Sequence, residues 1–402
     1  MKVLQVNCVY NKGSTGKIVA DIHNGLIERG IESVVCYGRG EQTTLPNVYK
    51  VCGEFYSKLQ NLRSRITGLM YGGCTLSTRR LIKVIEKERP DIVHLHCING
   101  YFVNIYKIVQ WLKNNNIRTV LTLHAEFIHT ANCGHAFDCE EWKTGCRNCT
   151  QFKSQTKSIF FNRTHTSWQK MKKAFDGFDN LIVASVSPWL MERAKQSPIL
   201  ADKEHCVVLN GLDTEIFKFY QTENLRKAMG IEGKKVIFHA TPFFHSNQQD
   251  IKGGYYIIEL AKRLLEKQEY QIVIAGNYDK NISVPSNVTF LGRVSDQEQL
   301  AKLYSMADLT VLTSKRETFS MVVSESLTCG TPVVGFNAGA PEQIAINEFS
   351  SFIEYGDIDT LEEKVIKFTN TDFDKKVIAE KAKQKYNRDK FVEENIKLYK
   401  KT

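Results

Sequence analysis

The chain has 402 residues, 42% of them apolar and 24% charged, an ordinary globular composition that excludes disordered, collagen-like and coiled-coil classes. Its 54 Lys and Arg against 44 Asp and Glu leave a formal charge of +10, which suits an anionic partner such as phosphate groups, a nucleic acid or a membrane surface. No apolar run approaches the roughly 18 residues that a membrane-spanning helix needs, and the length sets a soft expectation of two to three domains.

Val3–Val6 reads as a strand that starts almost at Met1, without the charged region, apolar core and cleavage site of a signal peptide. The expected location is the cytoplasm, where the 11 cysteines should be reduced or hold a metal rather than cross-link. Ile18–Arg29 carries helical spacing, and Ser33–Tyr37 is β-branched again. Leu81–Glu88 reads as a helix, Asp91–His96 as a buried strand, Tyr106–Asn114 as a helix and Arg118–His124 as a strand; Leu181–Val186 and Cys206–Leu209 repeat the strand signal. The alternation restarts with strands Val236–Ala240 and Gln271–Ala275 around a helix Tyr255–Lys267. It continues through strand Val288–Leu291, helix Gln297–Met306, strand Leu309–Thr313, helix Met321–Cys329 and strand Pro332–Phe336, and ends in a charged helical tail Lys383–Thr402. Strands alternating with helices imply parallel sheets covered on both faces. The expected fold is α/β, with two doubly wound domains facing a central cleft and a boundary near Asn210–Lys218. Ligands of such sheets sit beyond the carboxyl ends of the strands, so residues just after strands carry the chemistry.

The most informative of these is Glu317-Thr-Phe-Ser-Met-Val-Val-Ser-Glu325. One carboxylate follows the strand Leu309–Thr313 and the second lies eight residues on, in the next helix. Phe319, Ser320 and Met321 between them offer backbone N–H groups at a helix start, a natural anion site. Carboxylates are good acceptors for sugar or ribose hydroxyls. Taken alone the pair reads better as a capping glutamate and a solvated helix residue.

Its surroundings are Glu325-Ser-Leu-Thr-Cys-Gly330-Thr-Pro332-Val-Val leading to Gly339-Ala-Pro-Glu342, with Leu291-Gly292-Arg293 and Ala307-Asp308 upstream. Asn210-Gly-Leu-Asp213 and Phe217 stand at the proposed boundary, and Lys252-Gly253-Gly254 opens a helix after Val236–Ala240. This ordered set resembles the retaining glycosyltransferases of family 4, with the GT-B fold, over nearly the whole chain; Leu291 to Glu342 is the specific part. The resemblance implies two Rossmann-like domains: residues 1–210 bind an acceptor, with the helix 385–402 packing back on them, and residues 211–384 bind a nucleotide sugar. It implies that Glu325 binds ribose hydroxyls, Glu317 the donor sugar or its phosphate, and Lys252 the diphosphate, where a compact ammonium suits clustered oxygens. Phe319, Ser320 and Met321 would give N–H groups to sugar and phosphate, and Arg293 and Val294 would lie near the base. The expected donor is a UDP- or GDP-sugar, the expected acceptor a glycan or polyprenyl-diphosphate-linked glycan, and no cofactor is expected in the chemistry. The sequence departs from relatives that carry an arginine shortly before this lysine: His239 to Asn247 contains none.

Asn11-Lys12-Gly13-Ser14-Thr15-Gly16-Lys17 follows the first strand. It fails the P-loop pattern, because Asn11 and Ile18 stand where a Gly and a Ser or Thr are required. The resemblance instead sets Gly13 and Gly16 beside the acceptor and the donor phosphates; a plain tight turn is the other reading. The family commonly has a histidine where His124 ends its strand, beside the reacting sugar, so His124 is expected to hydrogen-bond donor or acceptor; a packing histidine is the alternative. His94 and His96 alternate on one strand and read as structural.

Cys133, Cys139, Cys146 and Cys149, spaced C-x5-C-x6-C-x2-C, lie in a segment that resembles an insertion of bacterial polysaccharide-assembling members of the colanic-acid type. Those usually have an aspartate after the histidine, where this chain has Ala125. The four thiols suit a structural tetrahedral zinc, or a metal-free loop. Finally, Ser57–Lys83 holds Lys58, Arg63, Arg65, Arg79, Arg80 and Lys83 and no acid. Leu59, Leu62, Ile66, Leu69 and Met70 form an apolar stripe beside them. Such a helix fits an anionic membrane surface, which would make the protein peripheral to the inner face of the plasma membrane; a core helix with solvated cations is the other reading. The rival functions are a nucleotide-sugar epimerase or phosphorylase on the same fold, and a zinc-ribbon nucleic-acid binder. The last is disfavoured because the basic residues are scattered over both domains, so no nucleic-acid partner is expected.

Overall fold

The computed structural model describes Met1–Lys401. By internal contacts the chain divides into two compact units. One runs from Met1 to Asn210 and takes in the chain again from Asp389 onward; the other is Gly211–Arg388.

The N-terminal unit is built on seven strands: β1 (Lys2–Val9), β2 (Glu32–Arg39), β3 (Val48–Lys50), β4 (Ile92–Leu95), β5 (Thr119–Leu123), β6 (Leu181–Ser185) and β7 (Glu204–Val207). They lie in the order β3-β2-β1-β4-β5-β6-β7, and every neighbouring pair is parallel. Both faces are covered, so the strands read as continuous apolar runs rather than alternating ones; β4, β5 and β6 are buried at every position. The order reverses between β1 and β4, the kind of position at which doubly wound sheets bind their ligands.

The last helix, Arg388–Lys401, belongs to this unit's core. Phe391, Val392, Leu398 and Tyr399 pack with Val3, Ile18, Ile22 and Ile92. Val392 sits so close to the helix Gly13–Glu28 that a Cβ on Gly25 would lie 2.6 Å from it. The tail expected as one helix over 383–402 is two helices. Lys375–Tyr386 and Arg388–Lys401 are separated at Asn387, whose ψ of 149° is extended. The break is made by tertiary pairing: Leu212 N donates to Tyr386 O at 2.7 Å, and Arg388 N donates to Leu212 O at 2.8 Å. Tyr386 therefore stays with Gly211–Arg388, and the returning segment begins at Asp389, not at residue 385. Thr402, the last residue of the expected helix, lies outside the described residues.

The C-terminal unit has six strands: β8 (Lys235–Phe244), β9 (Tyr270–Tyr278), β10 (Val288–Gly292), β11 (Leu309–Leu312), β12 (Val333–Phe336) and β13 (Ser350–Ile353). Their order is β10-β9-β8-β11-β12-β13, again all parallel. Ile237, Ile272, Ile274, Val311, Val334 and Phe336 form its core with Ile257, Leu260 and Leu264 of the helix Gly254–Leu265. β8 runs past Ala240, where the sequence pattern stops. A bulge between Ala240 and Phe243 absorbs Pro242, which cannot donate to the ladder, and pairing resumes at Phe243–Asn277. Here the order reverses between β8 and β11.

Candidate active site

The reversal in the C-terminal unit brings together the loops that follow β8 and β11. The first ends in Lys252. Its amide donates to Asp250 Oδ1 at 2.9 Å, its carbonyl accepts from Thr313 Oγ1 at 3.1 Å, and Ile251 O accepts from Lys315 N at 2.8 Å. The next residue must be glycine. Gly253 has φ +70°, and a Cβ there would lie 2.1 Å from Thr313 O, closer than any side chain tolerates. This lock on the backbone leaves the lysine side chain to reach across, and Lys252 Nζ donates to Glu317 Oε1 at 2.7 Å. Glu317 is pinned in its turn: its N–H donates to Ala338 O at 2.9 Å, and its carbonyl accepts from Ala340 N at 3.3 Å. Glu342 holds the loop after β12 that these bonds reach, accepting from Gly339 N at 2.9 Å and Ala338 N at 3.1 Å.

Ser320 stands just before the helix Met321–Thr328, with φ 85° and ψ 93°, a backbone region that non-glycine residues rarely occupy. Its hydroxyl is buried without a hydrogen-bond partner. Phe319 is buried beside it and Met321 is half-buried. The amides of the helix's first turn have no partner within the helix.

One turn further, Glu325 Oε2 accepts from Tyr304 OH at 3.0 Å. Tyr304 is buried on the helix Gln297–Met306, with its ring edge-on to Phe238 at 4.9 Å; burial, with the Glu325 carboxylate next in effect, pushes its pKa well up. Glu325 and Tyr304 line a cavity of about 390 Å3 together with Thr241, Asn277, Arg293 and Val294. The structure therefore assembles two neighbouring groups in one unit. Arg293, Val294 and Glu325 share the cavity, while Lys252 and Glu317 form an ion pair outside its lining, with side chains 32% and 16% exposed. The half-buried Val294 and exposed Arg293 follow β10 directly.

The N-terminal unit has its own reversal, between β1 and β4. Gly13 opens the helix after β1 with φ +64°, and Gly16 O accepts from Asn11 N at 3.0 Å, closing the loop. His124 follows β5 and stacks on His96, ring centroids 5.5 Å apart, with His96 Nδ1 to His124 Nε2 at 3.2 Å. His94 continues the row: its ring lies 3.9 Å from His96, its Nδ1 contacts Tyr399 OH and its Nε2 Thr122 Oγ1, each at 2.7 Å. Burial lowers the pKa of His124 to about 4 and that of His94 to about 3, and takes His96 well below its ordinary value. All three are neutral imidazoles at neutral pH. His124 is an uncharged donor or acceptor, not a cation.

Residues 15–216 match the sequence profile of Glycosyltransferase Family 4, and residues 221–385 match that of Glycosyl transferases group 1. The chain belongs to glycosyltransferase family 4. It is 21% identical over 359 residues to the putative colanic acid biosynthesis glycosyl transferase WcaC of Escherichia coli K12, covering 86% of this chain and 85% of that one. It is 21% identical over 393 residues to the N-acetyl-alpha-D-glucosaminyl L-malate synthase of Bacillus anthracis, covering 94% and 90%. The solved structure of Anabaena Alr3699/HepE in complex with UDP superposes with a TM-score of 0.68 at 16% identity, over all of both chains. The chain is thus a glycosyltransferase, an enzyme of GT-B fold.

The cysteine segment of this family 4 member had two readings, a structural zinc site and a metal-free loop. Among the described residues no three His, Cys, Asp or Glu side chains gather to hold a metal ion. Cys133, Cys139, Cys146 and Cys149 are not arranged as such a group. The four thiols share a neighbourhood, in which Cys139, Cys146 and Cys149 each raise the pKa of Cys133, but burial is the largest effect, pushing Cys146 up to about 12 and Cys133 further. Other groups hold the loop. Buried Trp142 donates to Cys139 O at 2.7 Å and lies against His129 and the Arg193 guanidinium. Arg193 Nε donates at 2.6 Å to Glu126 Oε1, a fully buried carboxylate. Sequence reasoning passed over Glu126 and Tyr304, and it named Ser320 without foreseeing its strained backbone. Only Glu126 left a signal there, as an acid two residues after His124 in an otherwise apolar stretch.

Proposed function

We propose that this glycosyltransferase moves a sugar from a nucleoside diphosphate to a glycan acceptor with retention of anomeric configuration, in the assembly of a bacterial surface polysaccharide. The observation that carries the reading is the Lys252–Glu317 pair beside the amides that lead into Met321–Thr328. An ammonium has three donors, and Glu317 takes one, at 2.7 Å. Two remain for diphosphate oxygens. Those donors and the helix amides stabilise negative charge as it builds on the departing diphosphate, and fixed groups of this kind usually lower a barrier more than any other device an enzyme has. Glu317 then accepts from a donor-sugar hydroxyl, Glu325 from the ribose hydroxyls, and Arg293 and Val294 flank the base in the cavity. The acceptor hydroxyl attacks the anomeric carbon from the face the leaving group vacates. The bond from that carbon to the diphosphate oxygen breaks, the bond to the acceptor oxygen forms, and the acceptor proton passes to the diphosphate. The N-terminal unit binds the acceptor, with Gly13, Gly16 and neutral His124 at its own sheet reversal, and the acceptor is carried on a polyprenyl diphosphate. No metal takes part. The likeness to the colanic-acid relative supports the polysaccharide role, and the UDP complex of the HepE structure supports a uridine donor.

Thermal-shift measurements with UDP, GDP and their common sugars identify the donor, because a selective ligand stabilises by mass action. With that donor and a glycan acceptor, Lys252→Met is expected to lower kcat by roughly 10²–10³, as for the loss of one group that stabilises developing charge. Unchanged turnover in the variant, or isomerisation or phosphorolysis in place of transfer, overturns the reading.

A further inference from the structure

The helix Glu54–Thr67 in the N-terminal unit is turned inside out. It buries Ser57 and Ser64, whose hydroxyls donate to Gly100 O and Leu69 O, each at 3.1 Å. It exposes Phe55, Leu59, Leu62 and Ile66, at 82%, 48%, 48% and 42%. Steps of four, three and four residues set these on one stripe. Leu69 and Met70 do not extend the stripe: they lie beyond the helix end, and Met70 is buried. A core helix buries its apolar face; this one presents that face outward, so the core-helix reading fails.

A second segment widens the surface. Ile159 N donates to Arg65 O at 2.8 Å, and Phe160 and Phe161 beside it are 66% and 50% exposed. The chain runs so close to the helix end that a Cβ on Gly68 would meet Phe161 O at 2.1 Å. The charges around this surface have one sign. No Asp or Glu occurs from Phe55 to Ile85 or from Trp142 to Phe175, while Lys58, Arg63, Arg65, Lys157 and Arg163 do. Glu54, which precedes the stripe, is occupied by Gly40 N at 2.6 Å and by the Arg39 guanidinium. Contiguous exposed apolar patches are uncommon on monomers and mark interaction sites. Aromatic and aliphatic side chains flanked by cations whose long stems reach toward phosphates match the boundary between headgroups and acyl chains. Among the described residues no helix is long and apolar enough to cross a membrane, so contact through this face is peripheral.

We infer that the face made by Phe55, Leu59, Leu62, Ile66, Phe160 and Phe161 docks on an anionic lipid bilayer, with the flanking cations on lipid phosphates. The inference stands on this surface alone and not on the sugar-transfer reading. The test needs neither donor nor acceptor, so either idea can fail without the other. The full chain is mixed with phosphatidylcholine vesicles, with and without phosphatidylglycerol, and sedimented. Binding to the anionic vesicles is expected to be at least about tenfold stronger and to weaken with salt. Leu59→Ser with Leu62→Ser is expected to lower it at least about tenfold through lost apolar contact. Lys58→Ser with Arg63→Ser and Arg65→Ser is expected to remove the preference for anionic lipid. All five positions are exposed, and thermal melting checks that the variants fold. Three results overturn the inference: equal binding to both vesicles, binding unchanged in both variants, or no binding together with a dimer that the Leu59/Leu62 variant dissolves.

Discussion

Lowering the pH from 7.5 to 5.5 should destabilise the N-terminal unit by at least about 3 kcal/mol, through histidines alone. His94 and His96 are 0% and 1% exposed, and burial lowers both pKa values, His94 to about 3. Their unfolded value is near 6.5. A group whose folded pKa lies below its unfolded one has no effect on stability above the unfolded value. As pH falls from there, the unfolded chain takes up a proton that the folded chain refuses, and stability drops until the folded pKa is reached. At pH 5.5 each fully refusing imidazole costs about 1.4 kcal/mol, so two cost about 2.8 kcal/mol. His124, partly accessible with a pKa of about 4, adds a further share, and His23, His129 and His205 are lowered in the same direction by burial. Carboxylates do not confuse the window: Glu126, lowered to about 2, loses its contribution only below the ordinary carboxylate range near 4.5. The assay is urea unfolding followed by tryptophan fluorescence, since all four tryptophans, Trp111, Trp142, Trp168 and Trp189, lie in this unit. His96→Gln should shrink the difference between the two pH values by about 1.4 kcal/mol, whatever it does to stability at either one. A flat or rising stability toward pH 5.5, or the same difference in His96→Gln, would refute the reasoning.

Tyr304→Phe removes the hydroxyl that holds Glu325 and should weaken nucleotide binding about 10- to 150-fold, the value of one hydrogen bond to a charged group, with kcat little changed; calorimetric titration with the nucleotide measures it. Glu325→Gln should weaken binding more than Tyr304→Phe does, and equal losses would mean that the tyrosine and not the carboxylate meets the ligand. Gly253→Ala forces a side chain onto Thr313 O at a positive φ. It should cost about 2–4 kcal/mol, seen as a melting-temperature drop of roughly 5–15 °C for a unit of this size. An unchanged melting temperature would show that the loop relaxes.

The alternation of strands and helices was legible because a parallel sheet covered on both faces leaves runs of apolar residues with little else between them, as in Ile92–Leu95 and Leu181–Ser185. What escaped is what tertiary contacts decide. The ladder of β8 beyond Pro242 depends on a bulge that only its partner strand reveals. Nothing in the Lys-rich tail marks the break at Asn387, which is imposed by Leu212, far away in the chain. The nearness of Lys252 to Glu317 was readable, since each follows a strand beside the sheet reversal. The nearness of Tyr304 to Glu325 was not, because they sit on separate helices and share no periodicity. The cysteine spacing suited a metal cage or a metal-free loop, and it gave no hint that Trp142, Arg193 and Glu126 position the segment.

The closing helix has a consequence for biosynthesis. While residues 211–388 are being made, the N-terminal unit lacks Phe391, Val392 and Tyr399, which cover Ile18, Ile22 and His94. At about 5–20 residues per second, the intervening residues 211–388 keep that apolar surface uncovered for roughly 10–35 seconds. During this interval the uncovered surface is open to non-native contacts, and loss of the helix Arg388–Lys401 would damage a unit made well before it.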